Sequence, residues 1–110
     1  MADVTNRIPG SRTEVVDVDE TITIGRSRSA TVQRDDRETV IASKTLSVGR
    51  KLTLQIAEEI EIVVGQARIL MKKDGTILIS GRDVVIDSSG AVNVKASRDV
   101  VLKGKKILEN

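Results

Sequence analysis

Residues 21–65 read TITIGRSRSATVQRDDRETVIASKTLSVGRKLTLQIAEEIEIVVG. In steps of eight from Ile24 the chain meets Val32, Val40, Val48, Ile56 and Val64, all β-branched. Two residues before each lie Ile22, Ala30, Glu38, Leu46, Leu54 and Ile62, apolar except for Glu38. The residues between, Thr23, Thr31, Thr39, Ser47, Gln55 and Val63, are polar in all but the last case. Alternation of period two inside a frame of eight describes a short strand with one buried face, then a corner, repeated. The corner position holds Gly25, Gly49 and Gly65 in half of the copies, which suits a bend with positive φ or a close approach.

The composition narrows the chemistry. The 110 residues, room for one domain, include no Cys, no His and no Phe, Tyr or Trp. Thiols and imidazoles, as nucleophiles or metal ligands, and disulfides are therefore absent, and no enzyme, cofactor or metal is expected. A core of Val, Ile, Leu and Met alone is easier to build narrow and long than spherical. No apolar run is long enough for a membrane helix, and no apolar stretch near Met1 suggests a signal peptide. The formal charge is only +2, with an acidic start and a basic end. Without aromatics to stack bases, nucleic-acid binding is not expected.

After Val64 the frame is expected to slip by one residue and resume at spacings of seven or eight. Ile69 and Met71, Ile77 and Ile79, Val84 and Ile86, Val92 and Val94, and Val100 and Leu102 continue it. Asp74-Gly75, Gly81-Arg82, Ser89-Gly90 and Lys103-Gly104 supply turn signals between them. The residues between the apolar pairs, among them Leu70, Leu78, Val85 and Val101, are mostly apolar here, so these strands are covered on both sides or carry an apolar stripe outside. Runs 51–56 and 59–64 alternate for longer, which suggests a wider mid-section.

Hairpins are not expected, since only Asp74-Gly75 has the sequence of a tight two-strand turn. Eight residues make one strand of roughly 15 Å and one corner, a single side of a triangle. Three chains wound about one axis close the layers and leave no free sheet edge along the length. The expected fold is all-β: an intertwined, triple-stranded, parallel-stacked β-helix, a triangular prism made by a homotrimer roughly 50–60 Å long. Its core is Ile22, Ile24, Val32, Val40, Leu46, Val48, Leu54, Ile56, Ile62, Val64, Ile77, Ile79, Val84, Ile86, Val92, Val94, Val100 and Leu102. Residues 1–13 read as a lead-in. The β-helical needle is expected over 14–107, as an octad section (14–66) and a drifted section (67–107), with 108–110 as the C-terminal end.

The octads Thr21-Ile22-Thr23-Ile24-Gly25 and Leu46-Ser47-Val48-Gly49 resemble those of the intertwined β-helix in contractile-phage cell-puncturing spikes and VgrG-type spikes of type VI secretion. The run from Lys73-Asp74-Gly75-Thr76-Ile77 through Asp87-Ser88-Ser89-Gly90-Ala91-Val92 to Leu102-Lys103-Gly104-Lys105 is similar to the C-terminal part of VgrG needles. The resemblance covers about residues 14–107. It implies a structural needle that helps pierce a target envelope, carries a PAAR-repeat tip protein at its C-terminal end, and joins a tail-tube or Hcp-type ring through upstream domains absent here. It implies cytoplasmic assembly followed by delivery outside the cell or into a target cell. With no His, a His-x-His apex metal site is not expected.

Some residues stand out against this frame. Glu38 is either a tolerated polar position that swings outward or an axial ring of three carboxylates, which would repel one another unless protonated or neutralised. Lys103, Lys105 and Lys106 are the candidate contacts for a tip partner. An enzymatic reading would need carboxylates such as Glu58, Glu59 or Glu61 to converge in a cleft, and a solvated face explains them more simply. The rival to a spike is a polymerising or scaffolding β-solenoid with no injection role.

Overall fold

A computed structural model describes residues 2–109, so Met1 and Asn110, the outermost residues of the lead-in and C-terminal end, lie outside it. The chain divides into two units, Met1–Leu46 and Ser47–Asn110. The described residues are all-β, without helix, and therefore without any helix long and apolar enough to cross a membrane.

The described residues of the first unit contain no strand paired within the chain. It bends at 9–10, 17–18, 25–26, 33–34 and 41–42, in steps of eight, with six residues between bends. The second unit carries the same rhythm at 49–50 and 57–58, and again at Arg82, 89–90, 97–98 and Lys105. The bends thus keep one phase of eight from end to end, while the apolar pair slips against them by one residue at 69/71 and again at 84/86. What changes is the apolar pair. Ile22 and Ile24 sit three and one residues before their bend, whereas Val92 and Val94 sit five and three before theirs.

Between the two octad stretches lies an antiparallel meander of β1 (Glu59–Val64), β2 (Ala67–Lys72) and β3 (Ile77–Ser80), with β2 in the centre. The absence of hairpins expected from the sequence is corrected here: the chain reverses twice. Val64 pairs with Ala67 across Gly65-Gln66. Gly65 has φ 54 and no non-glycine residue has positive φ, the pattern of a type II′ turn, whose twist matches that of the strands. The second reversal is the one that Asp74-Gly75 signalled. The Gly75 amide donates to the Lys72 carbonyl and the Lys72 amide to the Thr76 carbonyl, both at 3.0 Å, with Gly75 at φ 97. That is a three-residue loop with its glycine in the left-handed position. Gly25 and Gly49 have no positive φ, and a Cβ there would meet open space, so these corners bend without needing glycine.

Register gives the meander two unlike faces. Ile60, Ile62, Val64, Ala67, Ile69, Met71, Ile77 and Ile79 share one. The other carries Glu59, Glu61, Arg68 and Lys72 around Val63, Leu70 and Leu78. Glu59 lies directly opposite Lys72, and the Arg68 guanidinium donates diagonally to Glu61 at 2.6 Å. Leu70, on the central strand, is 3% exposed and is the one buried hydrophobic side chain among the described residues.

Candidate functional site

A folded monomer of 11.9 kDa exposes about 5,900 Å², and its unfolded chain about 17,000 Å². This chain exposes 12869 Å². Alone it removes only a small part of its surface from water, far less than the hydrophobic effect needs to offset chain entropy. The exposed surface is therefore the feature that needs a functional account.

That surface is regular. Ile24, Val32, Val40, Val48 and Ile56 are exposed by 45–55%, and Val84, Val92 and Val100 by 54–56%. Near-equal values at equal spacing indicate one local geometry repeated, with the same aliphatic group presented at each step. The second column, Ile22, Leu46, Leu54, Ile86, Val94 and Leu102, is more exposed still. Ile62, Val64, Ile77 and Ile79 of the apolar sheet face are exposed too. Every residue expected in the core thus lies on the surface of the single chain. Of the apolar residues between the pairs, Leu70 alone is buried; Leu78 is partly shielded, while Val85 and Val101 are open.

The backbone is as unpaired as the side chains. Outside β1–β3 and their turns, no main-chain hydrogen bond forms among the described residues. Main-chain amides and carbonyls that are buried need partners, and an extended run of free ones is a template for another chain.

The polar candidates fall into separate places. Glu38 accepts a hydrogen bond from the Lys44 ammonium, so its charge has a counter-ion in its own chain. Lys103, Lys105 and Lys106 are exposed around a tight corner, where a Cβ on Gly104 would come within 3.3 Å of the Lys106 carbonyl oxygen. The three mid-chain carboxylates do not converge. Glu61 pairs with Arg68, while Glu58 and Glu59 line a groove of about 330 Å³ with Leu54, Ile56, Ile60 and Met71. Asp74 closes the second reversal of the meander. The Thr76 amide donates to its carboxylate at 2.9 Å, and that bond, followed by one from the Thr76 hydroxyl, holds its pKa below the usual value of 3.8. This carboxylate closes a turn.

No protein-family model matches the chain. Over 58 residues it is 43% identical to a protein of Pseudomonas aeruginosa named type VI secretion system spike protein VgrG1b. The match takes in 53% of this chain and 8% of that protein, so the chain spans a small fraction of the relative's length. A partial relationship to VgrG spikes rests on those residues.

Proposed function

We propose that this chain is a segment of the spike of a type VI secretion system or a related contractile injection machine, with a mechanical and non-catalytic role. One observation carries the reading: the octad stretches leave their aliphatic columns and their main-chain hydrogen-bonding groups unpartnered in their own chain. A homotrimeric, intertwined β-helix meets both needs at once. Each strand lies between strands of the other two chains, which takes up the amides and carbonyls, and the aliphatic columns meet on the axis. The partial likeness to a VgrG spike protein supports the same assignment.

In this reading residues 14–107 are the needle. Its midpoint widens where three copies of the β1–β3 sheet turn their apolar faces inward. The Glu38 ring lies near the axis with its charge offset by Lys44. Lys103, Lys105 and Lys106 mark the end that receives a PAAR-type tip protein, and the opposite end leads toward domains that seat on an Hcp-type ring. Such a spike assembles in the cytoplasm and leaves the cell by contraction of the machine.

Sedimentation equilibrium tests the assembly directly. A discrete trimer, whose thermal transition moves upward with protein concentration, is expected. A folded monomer, or open-ended filaments, would overturn the proposal. A pull-down with a PAAR-repeat protein tests the tip: charge reversal at Lys103, Lys105 and Lys106 is expected to weaken capture, and unchanged capture removes those lysines from the interface.

A further inference from the structure

An aliphatic column has a weakness that the trimer proposed above must overcome. Ile24, Val32, Val40 and Val48 are nearly identical at each step, so a chain displaced by one octad against its neighbours buries almost the same groups. Hydrophobic burial alone therefore fixes the register of such a stack poorly. Another column in the first unit supplies what is missing. Two residues before the second apolar column, in steps of eight, stand Arg12, Glu20, Arg28, Asp36 and Lys44, and their charges alternate without exception.

Their place on the strand is fixed by two contacts. Arg12 bonds to Glu14, two residues along, and Lys44 bonds to Glu38. Both carboxylates belong to the column of Ile22 and Leu46, so the alternating charges share the face of the aliphatic groups, as the period of two requires. The three central members, Glu20, Arg28 and Asp36, form no ion pair among the described residues. Asp17 and Asp19 accompany Glu20 and Arg26 accompanies Arg28, whereas Asp36 stands among Arg34, Asp35 and Arg37.

We propose that this column is a register lock between copies of this chain: stacked in the trimer, each charge lies against the opposite charge of the neighbouring chain's next octad. Strands about 4.8 Å apart bring residues of one column into direct contact. A displacement of one chain by one octad turns each of its contacts in the column into a like-charge contact, while the β-branched column of Ile24, Val32, Val40 and Val48 registers almost no change. The lock thus discriminates where the core does not, and it acts by penalising the wrong alignment.

The lock rests on the trimeric reading, and co-expression separates the two. A second chain carries the column inverted, each Arg or Lys exchanged for Glu and each Asp or Glu for Arg, with Glu14 and Glu38 exchanged for Lys to keep their in-chain pairs. Native mass spectrometry of wild-type and inverted chains made together is expected to find the two homotrimers and few mixed ones, because every junction between unlike chains is like-charged. Homotrimers beside mixed trimers in binomial proportion would overturn the lock and leave the trimer standing. A wild-type mass other than a trimer would overturn both. Should the inverted chain not assemble, Arg28→Glu tests the same point alone. It is expected to lower the melting temperature of the trimer more than Arg28→Gln does; an unchanged melting temperature, or equal losses from the two variants, overturns the lock.

Discussion

The octad stretches and the meander between them use the same residue types to opposite ends. In the meander, Ile, Val and Leu alternate along strands that pair within the chain, and one leucine is buried. In the octads the same alternation pairs with nothing in the chain, and the aliphatic column stays half exposed at every step. The difference lies in the turns. Gly65 at φ 54 and Gly75 at φ 97 reverse the chain onto itself. The octad bends redirect it without positive φ, so each strand points away from the last and its hydrogen bonds remain open to another molecule. A chain becomes self-sufficient or dependent on partners by how it turns, with side-chain pattern held nearly constant.

The sharpest way to break that comparison is to put a charge into each kind of exposed apolar position. Val40→Asp places a carboxylate in the octad column of every chain, where burial in a trimer leaves it unpaired and costs several kcal/mol per chain. Loss of the trimer in sedimentation is expected. Val85 is 83% exposed and lies between the paired positions Val84 and Ile86. Val85→Asp is expected to leave the trimer intact and to change stability by less than about 0.5 kcal/mol. Equal effects from the two would mean that the octad column is ordinary surface.

How much of this was legible in the sequence follows the same division. The period of eight, the two aliphatic columns and the strand at 59–64 could be read from residue spacing, because alternation is a local property. The reversal at Gly65-Gln66 was missed because glycine there looked like one more octad corner. The signal was present, since two alternating runs, Ile60-Ile62-Val64 and Ala67-Ile69-Met71, flank two residues of which the first is glycine. The frame slip after Val64 belongs to the apolar pair alone: the bends hold their phase, and the pair ends two residues further from its corner. Spacing of apolar residues reports the pair and is blind to the bend. The salt links of Glu38 and Glu61 depend on which neighbour a flexible side chain reaches, which no spacing specifies.

Smaller effects sharpen the contrast between the turns. Alanine at Gly65 must adopt the left-handed backbone, at a cost of about 1–2 kcal/mol, whereas alanine at Gly25 fits the single chain without strain. Chemical denaturation is therefore expected to register Gly65→Ala clearly, with Gly25→Ala close to the wild type. A large loss at Gly25 instead would show that a neighbouring chain approaches that corner too closely for a Cβ, and so would locate a contact between copies.

The smallest expected effect concerns the second reversal. Because the Thr76 amide and hydroxyl favour the ionised carboxylate of Asp74, its folded-state pKa lies below the ordinary 3.8. A depressed carboxylate contributes stability that is fully present above its unfolded pKa and lost as pH falls through the folded value. The Asp74 contact should therefore hold through neutral and mildly acidic solution and weaken only below about pH 3.8. A carboxyl-carbon NMR titration is expected to find Asp74 titrating below 3.8. The amide of Thr76 should shift in the same pH range as it loses its acceptor. Titration of Asp74 at or above 3.8 would mean that the turn is held by Gly75 and the Lys72 main-chain bonds, with the side chain a bystander.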